Sequence, residues 1–352
     1  MNALLEVKDL NVSFQGNENE KGNENEKESG TAVFYVSFSI REKETLALVG
    51  ETGCGKSVVA HAIMRLLPPE SRVKGTIEFG GKNLLELSEK EMTKLRGKEI
   101  SIIFQNPSLA LNPVYSIGHQ LAEPLRIHGQ EKRKGKEWKE KEERKEKVWK
   151  EKEEKNEKGL KMRKNNFSNV ARVLKRMGFS NPHEYMGYYP SWCSGGMNQR
   201  FLIAASTMLD PVLIIADEPS KGLDRNRVAE LEIELKRLKE KSETAILLIS
   251  HDLGFVRRLA DRVAVMYAGE IVEIADPSSL FERPLHPYTQ GLLNSLPERG
   301  FVPIPGSSPP LSSPPEGCRF HPRCPFKEKL CMQEHPELKE SNGKAVRCFL
   351  CL

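Results

Sequence analysis

The chain is short of long apolar stretches. No run approaches the ~20 residues that a membrane-spanning helix needs. The first residues, Met-Asn-Ala-Leu-Leu-Glu-Val-Lys, show no basic start, apolar centre and small-residue cleavage site. The chain therefore reads as soluble in character and intracellular, with no secretory signal. An excess of one charge is also missing: 54 Lys and Arg face 49 Asp and Glu, a net charge of +5. Nucleic-acid grips concentrate basic residues without matching acids, so no nucleic-acid partner is expected. Aromatics make up only 7% of the 352 residues. Cysteines are few, 7 in all. Cys54 and Cys193 sit apart, while Cys318, Cys324, Cys331, Cys348 and Cys351 crowd the end of the chain. In a reducing compartment such a cluster points to metal before disulfides.

What is present begins with a strand-like alternation at 5–14. Residues 16–27 repeat Gly-Asn-Glu-Asn-Glu-Lys twice, a segment with nothing to bury and a disordered loop tip by composition. Strands are predicted at Ala32–Ile40, Thr45–Val49 and Ile100–Phe104, with a helix at Val58–Leu67 stopped by Pro68-Pro69. Residues 131–158 hold 11 Lys, 2 Arg and 10 Glu, with only Trp138, Val148 and Trp149 apolar. Interleaved signs allow a solvated helix, too apolar-poor for a coiled-coil seam. It reads as an exposed insertion, or as a docking surface for a partner or for lipid headgroups. Further on, Gln199–Leu209 and Asn226–Lys241 read as helices, and Val212–Ala216 and Ala245–Ile249 as buried strands. Strands alternating with helices imply a mainly parallel sheet covered on both faces. Residues 302–316 form a Pro-rich, semi-rigid linker to the cysteine-bearing tail.

The most informative segment is Gly50-Glu51-Thr52-Gly53-Cys54-Gly55-Lys56-Ser57. It lies between a predicted strand and a helix, the context in which such a loop cradles phosphate. Glycines let backbone N–H groups turn inward, and the helix adds its positive end. Lys56 can reach the β- and γ-phosphates and Ser57 can ligate Mg²⁺; Val58 opens the helix. Cys54 reads as a small residue there, with a thiol that could be oxidised.

The strand Val212–Ala216 ends in Asp217-Glu218. One carboxylate can hold Mg²⁺ through water, and the next can polarise the attacking water. Two adjacent buried acids are costly unless they serve a cation. Leu247-Leu248-Ile249-Ser250-His251 delivers a histidine to the same edge. Gln105 ends the strand before it in the same way and could sense Mg²⁺ or the water.

Together these residues resemble the ABC-type ATPases. Gly50–Ser57 matches Walker A, Gln105 the Q-loop, and Ser194-Gly195-Gly196-Met197-Asn198-Gln199 the signature. Ile214–Glu218 matches Walker B, Leu223-Asp224 the D-loop, and His251 the switch histidine. All stand in the family's order. Phe104–Pro113, Ala264–Glu273, His286–Leu293 and Gly317–Pro325 narrow the likeness to the oligopeptide/dipeptide/nickel importer ATPases. Departures are Cys193 for Leu, Asn198 for a basic residue, Asn106 for an acid, and Lys221-Gly222 for Thr-Ala.

The resemblance implies an α/β fold: a P-loop ABC cassette with a mainly parallel core sheet, an antiparallel β subdomain, a helical subdomain and a small Cys-rich tail. The implied divisions are 1–105, 106–205 with the insertion at about 130–165, 206–300, and 301–352. It implies ATP bound at Gly50–Val58 with Asp217 and Asp224, and Mg²⁺ at Ser57, Gln105 and Asp217. Glu218, His251 and Gln105 would serve hydrolysis, and Ser194, Gly195 and Gly196 would touch the ATP of a second subunit. That partner is a homologous ATPase or a second copy, head to tail. Two membrane permeases, and through them an extracytoplasmic solute-binding protein, complete the expected importer on the cytoplasmic face of the membrane. The transported solute is expected to be a di- or oligopeptide, with nickel or a metal chelate as the alternative and a non-transport ABC ATPase behind both. Phe14 is the favoured adenine-stacking residue, ahead of Phe34 and Tyr35. Cys318, Cys324, Cys331 and Cys348 would hold a [4Fe–4S] cluster; zinc, free thiols or disulfides are the alternatives, and Cys351 could replace Cys348.

Overall fold

The structure is a computed structural model that describes residues 3–14, 30–129, 166–341 and 343–351. The repeat at 16–27 and the charged tract at 131–158 lie outside these residues. The described chain divides into two units. The first comprises Met1–Met92, Ile215–Glu218 and Leu231–Leu352; the second comprises Thr93–Ile214 and Pro219–Glu230.

In the first unit, β1 (Ala3–Phe14), β2 (Gly30–Arg41), β4 (Arg72–Phe79) and β5 (Lys82–Asn83) form a sheet in the order β2–β1–β4–β5. Its strands are antiparallel, with Val7 opposite Phe38 and Phe14 opposite Gly30. Inward residues run Leu5, Val7, then Leu10, Val12, because the register shifts between Val7 and Leu10. A bulge there, with Asp9 at φ 49°, moves the apolar face from odd to even positions.

The larger sheet of this unit carries the chemistry. β3 (Thr45–Val49) lies parallel to both β8 (Ala245–Ile249) and β9 (Arg262–Tyr267). The order continues outward through β10 (Glu270–Ala275), β12 (Lys344–Val346) and β11 (Lys339–Ser341), and on the other side of β8 through β7 (Leu213–Asp217). Every residue of β3 and β8 is buried, as a strand covered on both faces requires. The β9–β10 hairpin and β4 were not foreseen as elements. The hairpin carries its glutamates inward: Glu270 and Glu273 are buried, against the polar-out rule by which strands are read.

In the second unit, β6 (Ile100–Ile103) packs against helix Gly195–Ser206, whose Ser206 Oγ donates to the Ile102 carbonyl at 2.8 Å. Phe201 stacks on Phe179 at 4.5 Å, and the Arg200 guanidinium covers Phe179 at 4.2 Å. Helix Ile117–Gly129 contains Pro124, which hid it from periodicity.

Two helices begin earlier than predicted, and for related reasons. The first spans Lys56–Met64 rather than 58–67 because Gly55, at φ 104°, serves as its N-cap; Arg65 at φ 51° ends it. The other spans Gly195–Ser206 rather than 199–209 because Ser194 caps it, accepting from the Met197 N–H at 3.3 Å.

Candidate functional site

The phosphate loop runs from the end of β3 to the helix at Lys56. Gly50, Gly53 and Gly55 take φ of 151°, 84° and 104°. A Cβ on Gly50 would stand 2.1 Å from the Met266 carbonyl, and one on Gly55 would stand 2.5 Å from that of Ala32. These two glycines are dictated by close backbone approach. Gly53 differs: nothing lies within 4 Å of its would-be Cβ, and Thr52 and Gly53 are exposed. The loop is thus packed from behind and open in front. The helix at Lys56 has no side-chain cap, so its first N–H groups remain available for an anion.

Lys56 is buried and its Nζ donates to the carbonyls of Gly50 at 2.9 Å and Glu51 at 2.8 Å. The Glu51 N–H donates to Tyr288 Oη at 2.9 Å. Tyr288 was read in the sequence only as part of a subfamily motif; 237 residues separate it from Glu51, and no local pattern links them. Cys54 is buried, and burial pushes its thiol up. Burial thus disfavours the thiolate, which is the reactive form.

The acid edge is assembled beside this loop. Asp217 closes β7, buried, with the Ser57 hydroxyl bonded to its carboxyl. Burial raises the Asp217 pKa, the Ser57 bond opposes the rise, and Asp217 Oδ1 is buried with no hydrogen-bond partner. An orphaned buried carboxylate oxygen next to a serine hydroxyl fits a Mg²⁺ site. Glu218 follows at φ 49°, a strained conformation for a residue with a side chain. Its N–H donates to the Ile249 carbonyl at 2.9 Å, which ties the ends of β7 and β8 together. His251 Nδ1 lies 2.6 Å from Glu218 Oε2, and the ring itself is exposed. A buried acid thus meets an exposed histidine on the edge that holds the phosphate loop, which is suited to steering one water at a phosphoryl group.

In the second unit, Gln105 is exposed just past β6. Asn106, noted as a departure, caps the next short helix by accepting from the Ser108 N–H at 3.1 Å, as an acid would. Ser194 and Gly195 are exposed, and no atom lies within 4 Å of a Cβ on Gly195. Asn198 is buried and donates to the Pro190 carbonyl at 3.0 Å, so it is an internal strut of the signature turn. Asp224 caps helix Arg225–Ser242 through the Arg227 N–H at 3.0 Å.

Phe14 is half-buried at the open end of the β1–β2 pairing. Phe34 is committed elsewhere: the Arg319 guanidinium covers its ring at 4.2 Å, with Tyr35 edge-on at 4.7 Å.

Cys318, Cys324, Cys331 and Cys348 line one apolar cavity with His286 and Phe320. Its volume of about 10 Å³ is roughly room for one water. Burial pushes Cys318 up to about 12, whereas the Cys351 thiol, hydrogen-bonded to Cys348, brings Cys348 down to about 7. Among the described residues no group of three or more His, Cys, Asp or Glu is placed to hold a metal ion. The resemblance implied a shared site for these four; as arranged here they do not fit a metal.

The sequence pattern of the family described as ABC transporter matches residues 33–221. The chain belongs to the ABC transporter family. A second pattern, oligopeptide/dipeptide transporter C-terminal region, matches residues 272–331. The ABC ATPase is 39% identical to a probable peptide ABC transporter ATP-binding protein of Sinorhizobium fredii, over 98% of this chain and 94% of the relative. It is 39% identical to the dipeptide transport ATP-binding protein DppD of Bacillus subtilis, over 99% and 95%. Among solved structures, the dimeric structure of a bacterial ABC transporter cassette matches with a TM-score of 0.59, at 20% identity, over 78% of this chain and 98% of that one. The expected cassette fold, with its core sheet, antiparallel subdomain and helices, is the observed one. The protein is an ATP hydrolase coupled to transport, and ATP with Mg²⁺ is its expected substrate pair. Among the described residues no helix is long and apolar enough to cross a membrane.

Proposed function

We propose that this ABC ATPase powers an importer of di- or oligopeptides from the cytoplasmic face of the membrane. The observation that carries the hydrolytic part is the Glu218–His251 contact at 2.6 Å, next to a buried Asp217 with an unpartnered oxygen. The peptide part rests on relatives named for peptide transport, matched over almost the whole chain, C-terminal region included.

In this reading the open front of Gly50–Ser57 receives the triphosphate, and Lys56 exchanges its two carbonyl partners for phosphate oxygens. Ser57 and Asp217 would hold Mg²⁺, which would screen phosphate charge when bound, and the resemblance adds Gln105 to the residues that sense it. Glu218 accepts a proton from the attacking water, and His251 keeps the carboxylate aimed. Ser194, Gly195 and Gly196 close the site of a second ATPase subunit, with a capped helix start and open backbone facing outward. Asp224 belongs to the same interface, and Phe14 stacks on adenine. Two permease subunits and a solute-binding protein supply the path. The divisions proposed from sequence, 1–105, 106–205, 206–300 and 301–352, assign nucleotide binding to the first and third and transmission to the second.

The test is transport of a labelled tripeptide into vesicles that contain the chain and its permeases. ATP-dependent uptake is expected, and Glu218→Gln should abolish it while ATP is still bound. Uptake of nickel and not of peptide would replace the substrate assignment.

For the tail, Cys318, Cys324, Cys331 and Cys348 share one cavity wall, which is the only feature that favours the [4Fe–4S] cluster implied by the resemblance. The present geometry opposes it: loading would have to part the thiols and remove their protons. Anaerobic purification with four irons and four sulfides per chain is the result that supports it. Iron-free protein, or protein holding zinc, ends it.

A further inference from the structure

Glu51 of the phosphate loop is gripped by residues far downstream. Arg323 Nη1 donates to both of its carboxylate oxygens, at 3.1 and 3.0 Å. Ser308 Oγ donates to the same carboxylate and itself accepts from Arg323 Nη1 at 3.2 Å. Arg323 is fixed in turn, with Nε on the Pro305 carbonyl at 3.0 Å and Nη2 on that of Ile304 at 3.4 Å. Its side chain is 7% exposed, and that of Glu51 is 29% exposed. A guanidinium already held by two carbonyls loses little further freedom on pairing, and a shielded pair is worth more than a surface one.

The backbone of Glu51 is held as well. Its N–H is bound to Tyr288 Oη and its carbonyl accepts from Lys56 Nζ at 2.8 Å. Every polar group of this residue is therefore engaged, two by the segment 304–323, one by Tyr288 and one by Lys56. The Lys56 ammonium must leave the Glu51 carbonyl to reach a phosphate, so the position of that carbonyl sets the starting point of the exchange. The Glu51 carboxylate is also an anion next to a loop built for anions. Unpaired, it would repel a triphosphate.

We propose that Arg323 and Ser308 are positioning residues for ATP binding: by pairing with Glu51 they fix the phosphate loop and neutralise a carboxylate beside the incoming phosphates. This makes the Pro-rich linker and the segment that follows it part of the nucleotide site. The proposal rests on the reading of Gly50–Ser57 as that site.

The test is MgATP affinity of the full purified chain by calorimetry, with thermal melts alongside. Arg323→Ala is expected to raise the dissociation constant about fivefold. Arg323→Lys should raise it less, and Ser308→Ala about twofold to threefold. In a Glu51→Gln background the Arg323→Ala effect should shrink to within about twofold, because the unpaired charge is gone. Unchanged affinity in Arg323→Ala would overturn the proposal. An undiminished effect in the Glu51→Gln background would do so too, since Arg323 would then act only by bracing its own segment. If Arg323→Ala does not fold, Ser308→Ala decides, because its exposed hydroxyl carries little stability. Wild-type protein that binds no MgATP would instead refute the nucleotide site itself.

Discussion

Two helices of this chain start at glycine-rich turns, and they start differently. Helix Lys56–Met64 begins at Gly55 with no side-chain cap, whereas helix Gly195–Ser206 begins at Ser194, whose own hydroxyl bonds the Met197 N–H. Unsatisfied N–H groups at a helix start are tolerated when a ligand or water completes them. The first start therefore leaves room for an anion within its own chain, and it stands next to Lys56, Asp217, Glu218 and His251. The second is self-sufficient, its first turn already bonded by its own serine. It is a finished surface, suited to touching a nucleotide held by another subunit. In the proposed reading the same element serves as a cradle in one place and as a lid in the other.

The largest expected effect tests where the chemistry sits. Glu218→Gln should lower phosphate release by roughly 10²–10³-fold while ATP binding persists. Equal hydrolysis in the variant would remove Glu218, and with it the claim that the first helix start is the reacting one. Next comes the backbone of the cradle. Gly55→Ala would place a Cβ 2.5 Å from the Ala32 carbonyl at φ 104°, and should cost about 3 kcal/mol in a denaturant melt. A cost near zero would show that the loop relaxes freely. For the self-capped helix, Ser194→Ala should cost about 1 kcal/mol in stability, together with a fall in hydrolysis in the assembled transporter. Stability loss without any change in hydrolysis would reduce the signature to a cap. The smallest effect concerns Asn106. Asn106→Asp should shift stability by less than about 0.5 kcal/mol, because either residue accepts from the Ser108 N–H.

Much of this was legible in the sequence, and the reason is local. Gly50–Ser57 is contiguous, and a strand before it and a helix after it suffice to define its use. Thr45–Val49 and Ala245–Ile249 were read with their observed ends, since a strand buried on both faces is apolar throughout. The Ser194 turn was legible as a motif but not as a helix start, because the glycines that follow it argue against helix by propensity. Helix Ile117–Gly129 was missed for its proline, and the β9–β10 hairpin for its buried glutamates. Glu273 is accommodated because its carboxylate accepts N–H groups from Leu285 and His286, at 2.8 and 2.9 Å. Periodicity counts polar residues as outward and cannot see such partners.

The sequence by itself determined the phosphate-loop motif, the strand-end positions of Asp217, Glu218 and His251, and the second glycine motif at Ser194–Gly196. Each of these is carried by a short run of residues whose backbone needs are met locally. The tertiary structure alone decided which distant groups meet. It placed His251 on Glu218, and it left Asp217 Oδ1 without a partner beside Ser57. It brought Arg323, Ser308 and Tyr288 onto Glu51, and it closed four cysteines around a space of one water. These pairings span tens to hundreds of residues. Their cause is the order of strands in a sheet, which no local pattern of side chains records.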